Sequence, residues 1–182
     1  MDSSGAKFEQ NPPLKAQRIF HLAQIFLRLF AIGTSLAATC AMASAKQSVV
    51  VFGTSFEARY SYSSAFKFFV FGNATACGCT ILSLFYVFVL GRQQSSSPKK
   101  YFFLFIHDLV TMSLVISASS AATAVGYIGK YGNNHIGWAA VCDNFGKFCN
   151  KIVVSFTLSY FSFLSLMILT IISARRSTQI QV

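Results

Sequence analysis

The sequence predicts an all-α membrane protein, a four-transmembrane-helix bundle with short cytoplasmic termini. Three observations point there. Of 182 residues 54% are hydrophobic and only 11% charged, with a mean hydropathy of +0.55; a soluble domain carries about 25% charged residues. Four apolar runs each supply the roughly 20 helical residues that cross a hydrocarbon core of about 30 Å. The basic residues behind the net charge of +10 stand singly or in pairs at the edges of those runs. That is the pattern of membrane flanks. It forms no basic stripe, so nucleic acid is not an expected partner.

Residues 1–18 are polar and include Asn11-Pro12-Pro13, which reads as a helix-breaking tail. The first span is expected at about Ile19–Ala43. Ala41-Met42-Ala43-Ser44-Ala45 resembles a signal-peptidase site, but the run is longer than a 7–15-residue h-region and Arg28 interrupts it. The second span is expected at about Ala65–Leu90, after the loop Ser44–Ser64. The third, Phe102–Gly126, is reached through Gly91–Tyr101, where Ser95-Ser96-Ser97-Pro98 reads as a linker and a candidate phosphosite. The fourth is expected at about Ile152–Ala174, within a membrane domain covering 19–176 and followed by a tail, 177–182. Tyr127–Lys151 is too short to bury a core of its own. Lys7, Lys15, Arg18, Arg92, Lys99, Lys100, Arg175 and Arg176 fall on the termini side. Lys46, Arg59, Lys67, Lys130, Lys147 and Lys151 fall on the other. The bias puts the termini in the cytoplasm.

The third span carries a carboxylate, Asp108, and its second half from Ser117 to Gly126 is almost entirely small residues. Small residues let helix backbones approach closely in lipid, where packing rather than hydrophobicity drives association. Arg28 lies nine residues beyond Ile19 and Asp108 seven beyond Tyr101, about 13 and 10 Å from the same membrane face. The two charges therefore fall at similar depth and are expected to pair. His21, Gln24, Arg28, Ala31, Ser35 and Ala38 share one face of the first span, with Phe26 and Phe30 turned toward lipid. Met112, Val115, Ser119, Ala122 and Gly126 share the face of Asp108. Intramembrane charges mark ion pathways as well as structural pairs. With one acid and one Arg in all four spans, the structural ion pair is the preferred reading. Asn73 and Thr80 in the second span, Ser119 in the third, and Ser155, Ser159 and Ser162 in the fourth are expected to form an interhelical polar seam. Asn73-Ala74-Thr75 matches a glycosylation pattern but lies at membrane depth.

Cys40, Cys77 and Cys79 sit in spans and read as small packing residues. Cys142 and Cys149 are expected outside, disulfide-bonded, closing a short loop; the chain-entropy model gives such a bridge roughly 2.5 kcal/mol. His135 is the one other soft metal ligand in that loop, and His21, His107 and His135 do not cluster, so no metal or cofactor is expected. His107 is about 100° round the helix from Asp108 and reads as interfacial. No paired carboxylates, His cluster or nucleophile elbow support an enzyme.

Leu27-Arg28, Ala41-Met42 with Gln47, and Asp108 followed by the small-residue run to Gly126 occur in an order and spacing that resemble a known family. Trp138, Cys142, Phe145, Phe148 and Cys149 match it as well. The chain resembles the Casparian strip membrane domain-like proteins of plants, four-span relatives of MARVEL-type membrane domains, from about Ile19 to Arg176. The resemblance implies a non-enzymatic plasma-membrane scaffold that associates with itself and with relatives, organises a membrane domain and recruits cell-wall-modifying enzymes. It maps the family's paired membrane charges onto Arg28 and Asp108 and its loop cysteines onto Cys142 and Cys149. The alternative is a small-solute or proton transporter using the same ion pair. Where founding family members carry an acidic, Pro/Phe-rich first loop, this chain reads Lys46-Gln47-Ser48-Val49-Val50-Val51-Phe52, a departure that bears on the Casparian strip role itself and leaves the scaffold reading intact.

Overall fold

Four apolar segments too long to fold back on themselves become four helices. The computed structural model describes residues 12–51, 53–92, 98–133, 135 and 137–179; the Ser95-Ser96-Ser97 linker lies outside them. The helices are α1 (Pro12–Ala43), α2 (Ser64–Arg92), α3 (Pro98–Tyr131) and α4 (Gly146–Gln179). Each contains a stretch long and apolar enough to cross a membrane: Ile19–Ala43, Ser64–Val89, Tyr101–Tyr131 and Gly146–Arg175. The chain is a multi-pass membrane protein. Every helix packs on two neighbours, in the ring α1–α2–α3–α4–α1.

The helices outrun the expected spans. α1 begins at Pro12, inside the stretch read as a tail, because proline is well accommodated in a first helical turn, where no N–H has a partner to lose. α3 continues to Tyr131, where Gly132 at φ +69 stops it, and α4 already starts at Gly146. A helix does not end where the hydrocarbon does.

The first connection is not the plain loop expected between Ser44 and Ser64. It folds as an antiparallel hairpin, β1 (Lys46–Val51) paired with β2 (Thr54–Arg59), with Lys46 opposite Arg59 and Val51 opposite Thr54. The run of β-branched Val49-Val50-Val51 favours a strand, and Gly53 at φ +80 supplies the turn conformation that a side chain would strain. Arg59 pairs with Glu57 at 2.7 Å; the hydrogen bond first, and then the charge of Glu57, push the Arg59 pKa up. At this exposed site the pair adds little stability. Gln47 ties the hairpin to the bundle: its Oε1 accepts the backbone N–H of Phe148 at 2.9 Å, in the first turn of α4, where helical amides have no internal partner.

Two apolar clusters fill the interior. Near the hairpin end, Phe66, Phe69, Phe148 and Phe156 pack with Ala38, Met42, Ala122 and Ile152. Toward the other end, Ala31, Ala76, Val115, Leu166 and Leu169 form the second. Phe26 and Phe30 are exposed, as the helical pattern predicts, along with Phe71, Phe85 and many other large apolar side chains that face the surrounding medium. Cys77 is buried, whereas Cys40 is exposed and does not pack within the bundle.

The small residues on α3 meet matching small residues on its neighbours. A Cβ on Gly72 of α2 would lie 2.8 Å from the Cβ of Ala118, an atom that cannot swing away. Gly78, six residues on, faces open space. Gly72→Val therefore forces α2 and α3 apart. Overpacking costs about 1–3 kcal/mol, so thermal unfolding in detergent should shift clearly downward. Gly78→Val, which shares the propensity change but not the clash, should shift it much less.

Candidate functional site

The most polar place in the bundle interior is built from one residue of each helix. Arg28 of α1 faces Asp108 of α3 with two parallel hydrogen bonds, Nη1 to Oδ1 at 2.9 Å and Nη2 to Oδ2 at 2.7 Å. Both side chains are essentially inaccessible. This fork-on-carboxylate geometry is the strongest form of ion pairing available to the two groups. Arg28 Nη1 also donates to Ser83 Oγ of α2, and Ser83 passes its own proton to the carbonyl of Thr80 at 2.9 Å. Ser173 of α4 donates to Asp108 Oδ2 at 3.4 Å. All four helices thus meet at one pair of opposite charges.

About three turns toward the hairpin a second, neutral polar layer crosses the bundle. Asn73 Oδ1 of α2 accepts from Ser159 Oγ of α4 at 2.7 Å, and Ser159 and Ser119 of α3 share a further bond of 2.7 Å. Because the Ser159 proton goes to Asn73, Ser119 is the donor in that pair. The Asn73 amide is completed by the carbonyl of Phe69. Ser162 donates to the carbonyl of Ala31 at 3.3 Å, linking α4 to α1. Thr123 and Tyr160 extend the α3–α4 contact at 3.1 Å. The Thr123 proton is directed to the carbonyl of Ser119, so the phenol donates.

Two members of the expected seam do not bridge helices. Thr80 bonds the carbonyl of Ala76 and Ser155 that of Lys151, each four residues back on its own helix. A hydroxyl in lipid always has that carbonyl in reach, and it is taken unless a partner helix offers something closer. Ser83 and Ser173, which do bridge, escaped the sequence reading. Their signal was present as the continuation of two stripes: Ala76, Thr80, Ser83, Val87 on α2, and Ser155, Ser159, Ser162, Leu166, Leu169, Ser173 on α4. The second is a heptad-like i, i+4, i+7 repeat.

At the ion pair, and between it and the termini end, lie polar atoms without a hydrogen bond. Among the described residues, the buried atoms lacking a hydrogen bond are His21 Nε2, Gln24 Nε2, Arg28 Nε and His107 Nδ1. His107 Nδ1 is 3.6 Å from Asp108 Oδ1, and its side chain is partly exposed, in keeping with an interfacial position. No group of three His, Cys, Asp or Glu among the described residues could hold a metal ion.

At the opposite end Cys142 and Cys149 form a disulfide with Cα atoms 5.7 Å apart. It pins the connection after α3 to the first turn of α4. Asn133 and Trp138 form a short bridge in the same connection.

Removing one side of the ion pair leaves a full charge buried without its counterion, which typically costs 3–5 kcal/mol. Asp108→Asn or Arg28→Gln alone should therefore unfold the protein at far lower temperature in detergent. The double variant Arg28→Leu/Asp108→Leu removes both charges and should recover much of the loss. A double variant as unstable as the sum of the singles would mean that the two residues act independently.

The chain is matched by the model of the Casparian strip membrane protein domain over residues 17–165. It is 51% identical over 177 residues to CASP-like protein 1F1 of Vitis vinifera, covering 97% of this chain and 85% of that one. It is 52% identical over 172 residues to CASP-like protein 1F1 of Ricinus communis, covering 94% of this chain and 96% of that one. With CASP-like protein 1F1 of Arabidopsis thaliana the identity is 37% over 151 residues, or 83% of this chain and 86% of the relative. No solved structure matches. The matched region takes in Arg28, Asp108, both loop cysteines and most of α4, and on that match the chain belongs to the Casparian strip membrane protein domain family.

Proposed function

We propose that the protein is a non-enzymatic plasma-membrane scaffold. It associates laterally with itself and with relatives, and its hairpin end presents a surface that recruits cell-wall-modifying proteins. Its termini lie in the cytoplasm, and the hairpin and the disulfide lie outside, where a disulfide persists. The observation that supports this reading is how the bundle uses its buried charges. Arg28 and Asp108 neutralise each other at one level and are answered by Ser83 and Ser173. On the hairpin side of that level the interior is closed by Ala31, Ala76, Val115, Leu166 and Leu169. Among the described residues, the polar groups that bridge helices beyond that layer, Asn73, Ser119, Ser159 and Ser162, are already bonded to backbone or to one another. The outer faces, in contrast, carry a broad set of exposed Phe, Leu, Ile and Val. Such a body acts through its surface, on lipids and on neighbouring subunits.

A second reading, transport of protons or small solutes through the Arg28–Asp108 level, has one observation in its favour. His21, Gln24, Arg28 and His107 carry the unpartnered buried atoms, and they lead from the termini end to the ion pair. That column ends at the ion pair, against the apolar layer, so it reads as a half-path at most.

Two measurements separate these readings. Single-molecule tracking in cells should find slow, clustered particles, and liposomes containing the purified protein should show no specific flux. Solute or proton flux abolished by Asp108→Asn, from particles that stay monomeric and mobile, would overturn the scaffold. The orientation is checked by impermeant labelling of intact cells. After reduction Cys142 and Cys149 should become reactive from outside, and without reduction neither should label.

A further inference from the structure

A cavity among the described residues lies far from the ion pair. It measures roughly 660 Å³ and lies between the end of α3, the 137–142 connection and the start of α4. Ligand pockets typically measure 300–1,000 Å³ and are mostly apolar with a few polar groups. Phe66, Phe156 and Ile152 form its base, and Trp138 stands on its wall. The disulfide Cys142–Cys149 lines it too, so the wall is covalently held to α4. Gly126 gives room at the base: a Cβ there would meet the Phe156 ring at 2.7 Å.

Three features identify the occupant. First, Val125 and Val153 line the cavity, yet both are outward positions on membrane-crossing stretches, so the cavity opens where the helix surface meets lipid. Second, exposed Tyr127, Tyr131 and Trp138 stand around it, the aromatic side chains that favour the head-group level of a bilayer. Third, Lys130 belongs to the lining. It lies 5.2 Å from the Tyr131 ring centroid, and among the described residues it has no acidic partner within ion-pair distance. An apolar chamber open to lipid, with an unanswered ammonium at head-group level, suits one class of molecule.

We propose that this cavity is a binding site for a bilayer lipid with an anionic head group, its acyl chain packed against Phe66, Phe156 and Ile152 and its head group on Lys130. The site is independent of the Arg28–Asp108 network and does not rest on the scaffold reading. It gives the hairpin end of the bundle a head-group preference of its own.

The chain has one tryptophan, and Trp138 lies in the cavity wall, so its fluorescence reports occupancy. The protein is placed in phosphatidylcholine nanodiscs with small, increasing fractions of phosphatidylglycerol brominated on its acyl chains. Matched discs carry brominated phosphatidylcholine instead. Quenching by the anionic lipid should exceed that by the zwitterionic one and should saturate at low mole fraction. A lysine near a membrane surface attracts anionic lipid by an amount equal to about fivefold in binding. Lys130→Gln should reduce the head-group preference by about that factor. Lys67→Gln, at the same end but outside the cavity, should not. Val153→Phe and, independently, Val125→Phe should remove the saturable quenching while leaving helicity unchanged. Quenching that is equal for the two head groups and proportional to mole fraction would overturn the proposal. So would a preference that falls equally with Lys67→Gln and Lys130→Gln, which would assign it to the general positive charge of that end.

Discussion

The Arg28–Asp108 pair constrains everything else in this bundle. Two charges at membrane depth are tolerable only when each satisfies the other, and both lie within hydrogen-bond distance here, with almost no exposed surface. That requirement fixes the rotation of α1 and α3, since a turn of either helix would carry one charge into lipid. It also fixes their relative height, because a shift of one residue, about 1.5 Å along the axis, spoils a bidentate contact. Ser83 and Ser173 then set the rotation of α2 and α4 by smaller amounts of the same kind.

The geometry of that constraint is diagonal. The extensive packing runs round the ring of neighbouring helices, whereas Arg28 to Asp108 joins α1 to α3 across the centre and Asn73 to Ser159 joins α2 to α4 across the other diagonal. Hydrophobic packing in lipid is weakly directional, because a helix gains nearly as much from acyl chains as from a neighbour's leucines. Polar bonds across both diagonals make one arrangement of four similar helices distinct from the alternatives. The small residues serve the same end. Long side chains at Gly72, Ala118 and Ala122 would hold the helices too far apart for the central bonds to close.

What was legible in the sequence follows from what the membrane enforces. Four apolar runs had to be helices, since a spanning backbone must satisfy its own hydrogen bonds. Arg28 and Asp108 could be matched because equal depth is a count of residues and the expected spans hold one acid and one Arg. Serines and threonines gave a weaker signal. Ser159, Ser162 and Ser119 bridge helices while Ser155 and Thr80 bond their own backbone, and the choice depends on neighbours that no local pattern reveals. The hairpin was missed for a different reason. Val49-Val50-Val51 before Gly53 is a fair strand-and-turn signal, but so short an apolar run does not by itself distinguish a strand from other structure. The start of α1 at Pro12 shows the same ambiguity, a proline pair taken as a stop where it is compatible with a first turn.

The two ends of the bundle are held by opposite means. At the termini end order comes from electrostatics inside the helices. At the other end it comes from the connections: Gln47 on the first turn of α4, Lys151 Nζ on the Ser44 carbonyl at 3.2 Å, and the disulfide beside them. These tie the hairpin and the second connection to the same helix start, so the two loops form one surface rather than two mobile ones. Beneath that surface Phe66, Phe69, Phe148 and Phe156 interlock at ring separations of 5.6 to 6.5 Å, a packed floor that does not follow loop motion. A rigid floor with covalently anchored loops holds a small surface in one shape. Replacing Gln47 would free one amide, whereas reducing the disulfide would remove the covalent link between the cavity wall and α4 and leave the Val141 and Cys142 amides on the Gly129 carbonyl. The shape of this end therefore rests on one covalent link and on the hydrogen bonds around it.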